Sequence, residues 1–314
     1  MADARARLIA ALTRELAAPI SGDASALAGA IRARHGAAVA AIAFYGSCLR
    51  RGTSDGVHDF YVVVDGYRAA YRSRALAAVN ALLPPNVFYF ELPAGDVMLR
   101  AKYAVISNAD LARACRGEAR RTGSWARFAQ PIAAAFHRSP AARDALAAVC
   151  ADAVCTAVRA GLGARGADWQ AVESSALWRE IFRASYAAEL RPEREGASDA
   201  IYAEQPARFD ARLEESLAVL LECGAIERAA GGAPPRVRLQ SPLARRPRRS
   251  TGKLLAALQL VKSSATFGDW LPYVLWKLER HSGVRLEASE RQRRHPWLFA
   301  WPLVYRALRR GALR

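Results

Sequence analysis

Charge-free apolar runs are missing from this chain: no stretch of about 18 or more apolar residues lacks a charged side chain, so the sequence alone predicts no membrane span. The start, "MADARARLIAALTRELAAP", alternates charge with apolar residues and carries Asp3 and Glu15. It reads as an amphipathic helix without the continuous apolar core of a signal peptide, and its acids argue against a transit peptide. Cysteine is scarce. The five (48, 115, 150, 155 and 223) show no CxxC spacing and no pairing pattern, which suits a reduced, cytosolic chain. The five histidines (35, 58, 137, 281 and 295) form no HExxH, so zinc is not expected. No internal repeat is present.

What the chain does have is apolar mass and positive charge. Its 314 residues are 52% apolar, enough for a sizeable core and for more than one domain. The net charge is +17, and it is unevenly placed: from Arg236 to the end, 18 Lys/Arg stand against 4 Asp/Glu, a net +14. A basic tail of this kind seeks phosphates on nucleic acid or on an anionic membrane, unless it is simply a solvated face.

Periodicity predicts a helical start over residues 1–36, then buried strands at "AAVAAIAFY" (37–45) and "DFYVVVD" (59–65). A helix over 67–83 stops at Pro84-Pro85, and "NVFYFEL" (86–92) and "DVMLRAKYAVIS" (96–107) form a hairpin across "PAG". A helix follows from Asn108. From about residue 136 the pattern is helical, with a polar loop at 193–199, and "AIER…GGAPPRVRL" resembles a β-wing. The expected fold is therefore an α/β domain on a mixed sheet (1–135) and an all-α or winged-helix-like domain (136–240). A basic linker and amphipathic helical segment (241–314) complete it.

The chemistry centres on "FYGSCLRRGTSDGVHDFYVVVD" (44–65). A strand delivering Gly46-Ser47 into a helix lets backbone N–H groups and a hydroxyl approach an anion, with Arg50 and Arg51 in or just after the turn. Thirteen residues beyond Gly46, Asp59 opens the next strand. This layout resembles the nucleotidyltransferase superfamily of DNA polymerase β, where the Gly-Ser turn cradles a triphosphate and the acid holds Mg²⁺. Magnesium shares its oxygen shell with substrate phosphates, so few protein carboxylates are needed. The superfamily's second acid, two residues on, is here Tyr61. Asp65 lies on the same face roughly 20 Å along the strand, too far to share a metal with Asp59. Glu91 and Asp55 are further metal-ligand candidates. His58, facing the other way, is expected to be structural.

Downstream segments narrow the resemblance. "KYAVIS" (102–107), Tyr45-Gly46-Ser47, Asp59-Phe60, Val64-Asp65, "ARFAQPI" with Arg127 and Pro131, and "EIFRASYAAELRP" with Arg191 occur in one order over about residues 44–195. Together they resemble the mitochondrial-type phosphatidate cytidylyltransferases, the CDP-diacylglycerol synthases of the Tam family. Cys48 stands where that family has glycine, and "YFE" where it has "YYN". The resemblance implies a Mg²⁺-dependent enzyme joining CTP to phosphatidic acid, with release of pyrophosphate. It implies Asp59 on the metal, Gly46, Ser47, Arg50 and Lys102 on the nucleotide, and Arg51, Arg127 and Arg191 at the lipid phosphate. Asp59 and Lys102 would be the catalytic pair. A lone strand lysine is otherwise usually solvent-facing, and Arg191 is otherwise an ordinary helix-end charge. The alternatives are a nucleotidyltransferase with another lipid-phosphate or RNA acceptor, and a catalytically silent relative that binds nucleotide, nucleic acid or membrane.

The end of the chain, "PWLFAWPLVYRALRRGALR", places Leu303, Val304 and Leu308 on one helical stripe and Arg306, Arg309 and Arg310 on the other, with Trp297 and Trp301 suited to an interface. This composition suits a helix lying on an anionic bilayer, hence a cytoplasmic protein peripheral to the inner face of a membrane; packing on its own domain is the other option. Removing residues 296–314 is expected to leave a folded enzyme with sharply reduced binding to anionic vesicles. Each basic residue near such a surface contributes about 1 kcal/mol. Activity on bilayer phosphatidate should fall while activity on a short-chain soluble phosphatidate survives. Equal loss on both substrates, in parallel vesicle and solution assays, would place the tail inside the fold or the site.

Overall fold

Val57–Val64, rich in β-branched and aromatic residues, is the middle strand of a five-stranded mixed sheet. The computed structural model describes residues 3–119, 123–165, 169–188, 197–229, 236–238, 262 and 288–294. The strands are β1 (Val39–Tyr45), β2 (Val57–Val64), β3 (Asn86–Ala94), β4 (Val97–Ser107) and β5 (Ile132–His137), in the order β3-β4-β2-β1-β5. β2 runs parallel to β4; the other pairings are antiparallel. The fold is thus α/β on a mixed sheet, as expected.

Helices cover both faces. On one side lie α2 (Gly22–His35), α4 (Tyr67–Ala70) and α5 (Arg74–Leu82), packed on Ile42, Phe44, Phe60, Val62, Tyr103 and Val105. On the other lie α1 (Ala4–Leu16), α6 (Asn108–Cys115), α7 (Gly123–Phe128), α8 (Pro140–Arg165), α9 (Ser174–Ala188), α10 (Ala197–Ala203) and α11 (Pro206–Glu222). A short helix α3 (Ser47–Arg51) caps the end of β1. A two-residue ladder, β6 (Ile226–Glu227) with β7 (Arg236–Val237), follows α11 where the wing was expected, and α12 spans Glu290–Arg294.

Three elements differ from the sequence reading, two for local reasons and one through tertiary pairing. The helical start is two helices, because Pro19 cannot donate to a continuing ladder and Ser21 caps α2 by accepting from the Ala24 N–H. The helix over 67–83 is likewise interrupted, and Ser73 caps α5 through the Leu76 N–H. β5 was not expected at all: "IAAAFH" gives no alternating signal, yet it pairs along β1.

The boundary expected at 135/136 falls inside β5. The helical layer also shares its core with the sheet. Tyr61, Val63 and Ile132 belong to one contiguous cluster with Leu8 and Leu12 of α1, and with Trp178 and Phe182 of α9. Two features tighten that layer. Gly161 on α8 lets α9 approach so closely that a Cβ there would stand 2.7 Å from Ile181 and Leu177. Arg212 on α11, its side chain 4% exposed, donates to the Ala129 carbonyl and to Glu15 of α1, each at 2.5 Å. α8 is long and apolar enough to cross a membrane by length and composition, but 61% of its most apolar window is buried within the protein.

Two buried histidines sit on the α2 side of the sheet. His35 faces Tyr71, Tyr103 and Phe88, with Nδ1 2.9 Å from the Ala70 carbonyl. His58 stacks on Phe44 and Phe60, with Nδ1 3.4 Å from the Arg100 carbonyl, in keeping with a structural role. Burial lowers both imidazole pKa values, only partly offset by these carbonyl contacts. The folded state therefore binds fewer protons than the unfolded chain below the ordinary imidazole value of about 6.5. Stability should be full above that pH and fall as pH drops through it. Thermal melts between pH 7.5 and 5.5, where most carboxylates stay ionised, check this. His58→Phe should flatten the slope, and an unchanged slope would assign the pH dependence to other groups.

Candidate active site

The Gly46-Ser47 corner and Asp59 meet in space because β1 and β2 are antiparallel neighbours, with Tyr45 opposite Asp59. Gly46 has φ +90° and ψ −167°, a region open essentially to glycine alone. A Cβ at this position would lie 2.9 Å from Asp59 Oδ2. The glycine thus does two things: it turns the chain from β1 into α3, and it leaves room for the carboxylate. Asp59 is half-buried, and its carboxylate makes no hydrogen bond or ion pair to any described residue. Most other half-buried acids among the described residues, Glu15, Glu91, Asp110 and Glu204 included, are paired with arginine; Asp23, in the first turn of α2, is not.

Lys102 stands directly across the parallel β2–β4 pair from Asp59, on the same face. One cross-strand row therefore reads Tyr89, Lys102, Asp59, Tyr45, Ile132. Adjacent positions in such a row are about 4.8 Å apart. The choice of lysine is notable in composition: Lys102 is the only lysine before Lys253 in a chain with 46 cationic residues. An ammonium is a compact point charge on a flexible stem, whereas a guanidinium is a planar fork.

Tyr45 and Lys102 of this row line a cavity of about 470 Å³ between the sheet and α6–α7, whereas Asp59, Gly46 and Ser47 stand outside its lining. Lys102, Arg113 and Arg127 supply its positive charge, and Leu82, Leu83 and Pro85 give it an apolar rim. Arg127 also donates to the Gly123 carbonyl at 2.9 Å. Asp110 on the wall accepts from Tyr67 at 2.5 Å, from Ser107 at 2.8 Å and from Arg113. Burial opposes its ionisation, but these donors outweigh burial and hold its carboxyl below the usual range.

The remaining candidates separate. Tyr61, where a second acid would be, is 3% exposed and packs on Tyr45 and edge-on to Phe128. Glu91 lies two strands from Asp59, about 10 Å away laterally, and is engaged by the Tyr89 hydroxyl at 2.8 Å and Arg100 at 3.3 Å. Asp55 is exposed in the turn before β2. Asp65, at the far end of β2, pairs with Arg138 through two hydrogen bonds of 2.6 and 3.0 Å, which lower its pKa. Arg50 and Arg51 both reach Glu204, and Ser47 is exposed beside the corner. Arg191, Trp297, Trp301 and the stripes from Leu303 to Arg310 lie outside the described residues.

Among the described residues no group of three or more His, Cys, Asp or Glu side chains could hold a metal unaided. Asp59 alone suits a magnesium ion whose other oxygens come from phosphates and water, the usual sharing for that ion. Glu204, Gln130, Asp110 and Arg113 were not foreseen. Their one sequence signal is polarity at helix ends, which is common on any surface. No protein-family model matches the chain, and no curated protein does either.

Gly46→Ala should be destabilised by about 1–3 kcal/mol from the backbone alone, and the new methyl should displace the Asp59 carboxylate. Urea unfolding measures the first effect. A variant as stable as the parent would mean that the corner relaxes freely.

Proposed function

We propose that the protein transfers a cytidylyl group from CTP to phosphatidic acid at a membrane surface, releasing pyrophosphate and CDP-diacylglycerol. The observation that carries this reading is Asp59: a half-buried carboxylate without a described partner, held against Gly46 and one strand from Lys102. The nucleotidyltransferase identity rests on that arrangement together with the motif resemblance over residues 44–195.

In the proposed reaction a phosphate monoester oxygen of the lipid attacks the α-phosphorus of CTP. A new P–O–P bond forms and the bond to pyrophosphate breaks. The attacking oxygen belongs to a group with a second pKa near 6, so it is largely ionised at neutral pH and needs no strong general base. That requirement is consistent with a single acid and with Tyr61 in the second position. Magnesium, when bound, neutralises phosphate charge and aligns the reacting oxygens. Asp59 would hold it, while Lys102 and the Gly46-Ser47 turn would meet the triphosphate. Arg51 and Arg127 would meet the lipid phosphate, and the apolar rim from Leu82 to Pro85 would suit the part of the lipid that leaves the bilayer. Positioning and charge neutralisation are the main catalytic terms in phosphoryl chemistry, and the same terms are expected here.

A second reading has its own observation. Because Tyr61 fills the second-acid position with packed aromatic surface, the chain would bind nucleotide without turning it over. Labelled CTP, phosphatidate and Mg²⁺, followed by analysis of the lipid product, separates the two readings. Label in CDP-diacylglycerol supports transfer, and its absence despite CTP binding supports the silent relative.

Asp59→Asn keeps the shape of the carboxylate and removes its charge, so it should abolish transfer in a folded protein. Near-normal turnover by that variant would remove Asp59 from the metal. Ser47→Ala and Lys102→Ala should each raise the KM for CTP, because both contact phosphates already present in the ground state. An unchanged KM in both would reject the proposed triphosphate contacts.

A further inference from the structure

Glu204 lies in the two-residue link between α10 and α11, far in sequence from the corner, yet its carboxylate takes both arginines of α3. Oε2 accepts from Arg50 Nε at 2.6 Å, and Oε1 accepts from Arg51 Nε at 2.7 Å. The two arginines differ in what is left over. The Arg50 side chain is 9% exposed and spends a further donor on Gln130 Oε1 at 3.1 Å. The Arg51 side chain is 59% exposed, and its two terminal nitrogens make no hydrogen bond to any described residue. Arg51 is therefore gripped at Nε while the outer edge of its guanidinium faces solvent, one turn past Gly46-Ser47. Burial opposes ionisation of Glu204, but the two arginines outweigh it and hold the carboxyl below its usual range.

We infer that Glu204 is a positioning residue that fixes the Arg51 fork for a phosphate monoester approaching the corner. This rests on the reading above and adds to it a residue that the motif resemblance does not contain. A guanidinium is worth most when both parallel N–H groups meet two phosphate oxygens, and a flexible arginine loses rotamer freedom to do so. Holding Nε beforehand removes much of that loss. The competing role for Glu204 is that of a counter-charge that suppresses anion binding, and the two roles predict opposite signs.

The test is calorimetric titration of the full-length protein with two phosphate monoesters, dihexanoyl phosphatidate and glycerol 3-phosphate, which separate a lipid headgroup from a free phosphate. Arg51→Met should weaken binding of the preferred probe about tenfold, the loss expected for charge-assisted hydrogen bonds. Glu204→Gln removes a negative charge from the corner, yet should weaken binding about fivefold, because the amide replaces one of the two accepting oxygens with an NH2 group that cannot accept from an arginine Nε–H. In the Arg51→Met background Glu204→Gln should change nothing further, since Glu204 acts through Arg51. Tighter binding in Glu204→Gln, equal binding, an independent additional loss, or a parent that binds neither probe would each overturn the inference. Arg51→Lys tests the same claim at an exposed residue even where Glu204→Gln does not fold: affinity should drop to the Arg51→Met level, and parental affinity would overturn it. A parent that binds a probe but yields no CDP-diacylglycerol would defeat the proposed reaction and leave the role of Glu204 standing.

Discussion

β2 is the middle strand of the sheet and is buried on both faces from Phe60 to Val64. That constraint governs the rest of the molecule. A strand buried on both sides needs helices above and below it, which is why α2 and α5 lie on one face and the larger helical layer on the other. It also limits where charge can stand. An unpaired carboxylate inside this strand would lose its hydration with nothing to offset the loss. Asp59 occupies the first position where the burial relaxes, and the next residue on its face, Tyr61, is already core. The single acid at this site is thus what the packing of β2 permits.

The corner opposite Asp59 is shaped by the same economy of space. Gly46 gives up its side chain so that the carboxylate can lie against the backbone, and the turn into α3 follows from the dihedral angles that only glycine adopts readily. The corner is then tied to the helical layer through Glu204, and that layer is tied to α1 and to the end of α7 through Arg212. Both ties are charge-assisted hydrogen bonds with at least one largely buried partner, where effective screening is weak. Sheet and helical layer share one core, so displacement of α10 or α11 would be felt at the Gly46-Ser47 turn.

Much was legible along the chain because it depends on near neighbours. The apolar runs of β1 and β2, the β3–β4 hairpin, the start of α6 at Asn108, the Gly-Ser corner and the acid thirteen residues beyond it all follow from local backbone preference and from the period of the side chains. The facing of His58 away from Asp59 follows from the same alternation. β5 escaped notice because "IAAAFH" carries no alternation, and it is a strand only because β1 offers it an unpaired edge.

Other features were settled by which surfaces met. The sequence placed Lys102 on a strand, but only the parallel pairing of β2 with β4 puts it beside Asp59. Glu91 is a metal-ligand candidate by sequence, but the β3–β4 register sets it opposite Arg100, which engages it. Glu204 and Arg212 carry no motif, and their roles arise from ion pairs spanning 154 and 197 residues of chain. The sequence by itself determined four of the five strands, the corner and the acid at the mouth of β2, since those depend on covalent geometry and short-range burial. Which cation stands beside that acid, and which glutamate grips the arginines, only the tertiary structure decided, because contacts between distant segments form when whole faces pack and leave no trace in local spacing.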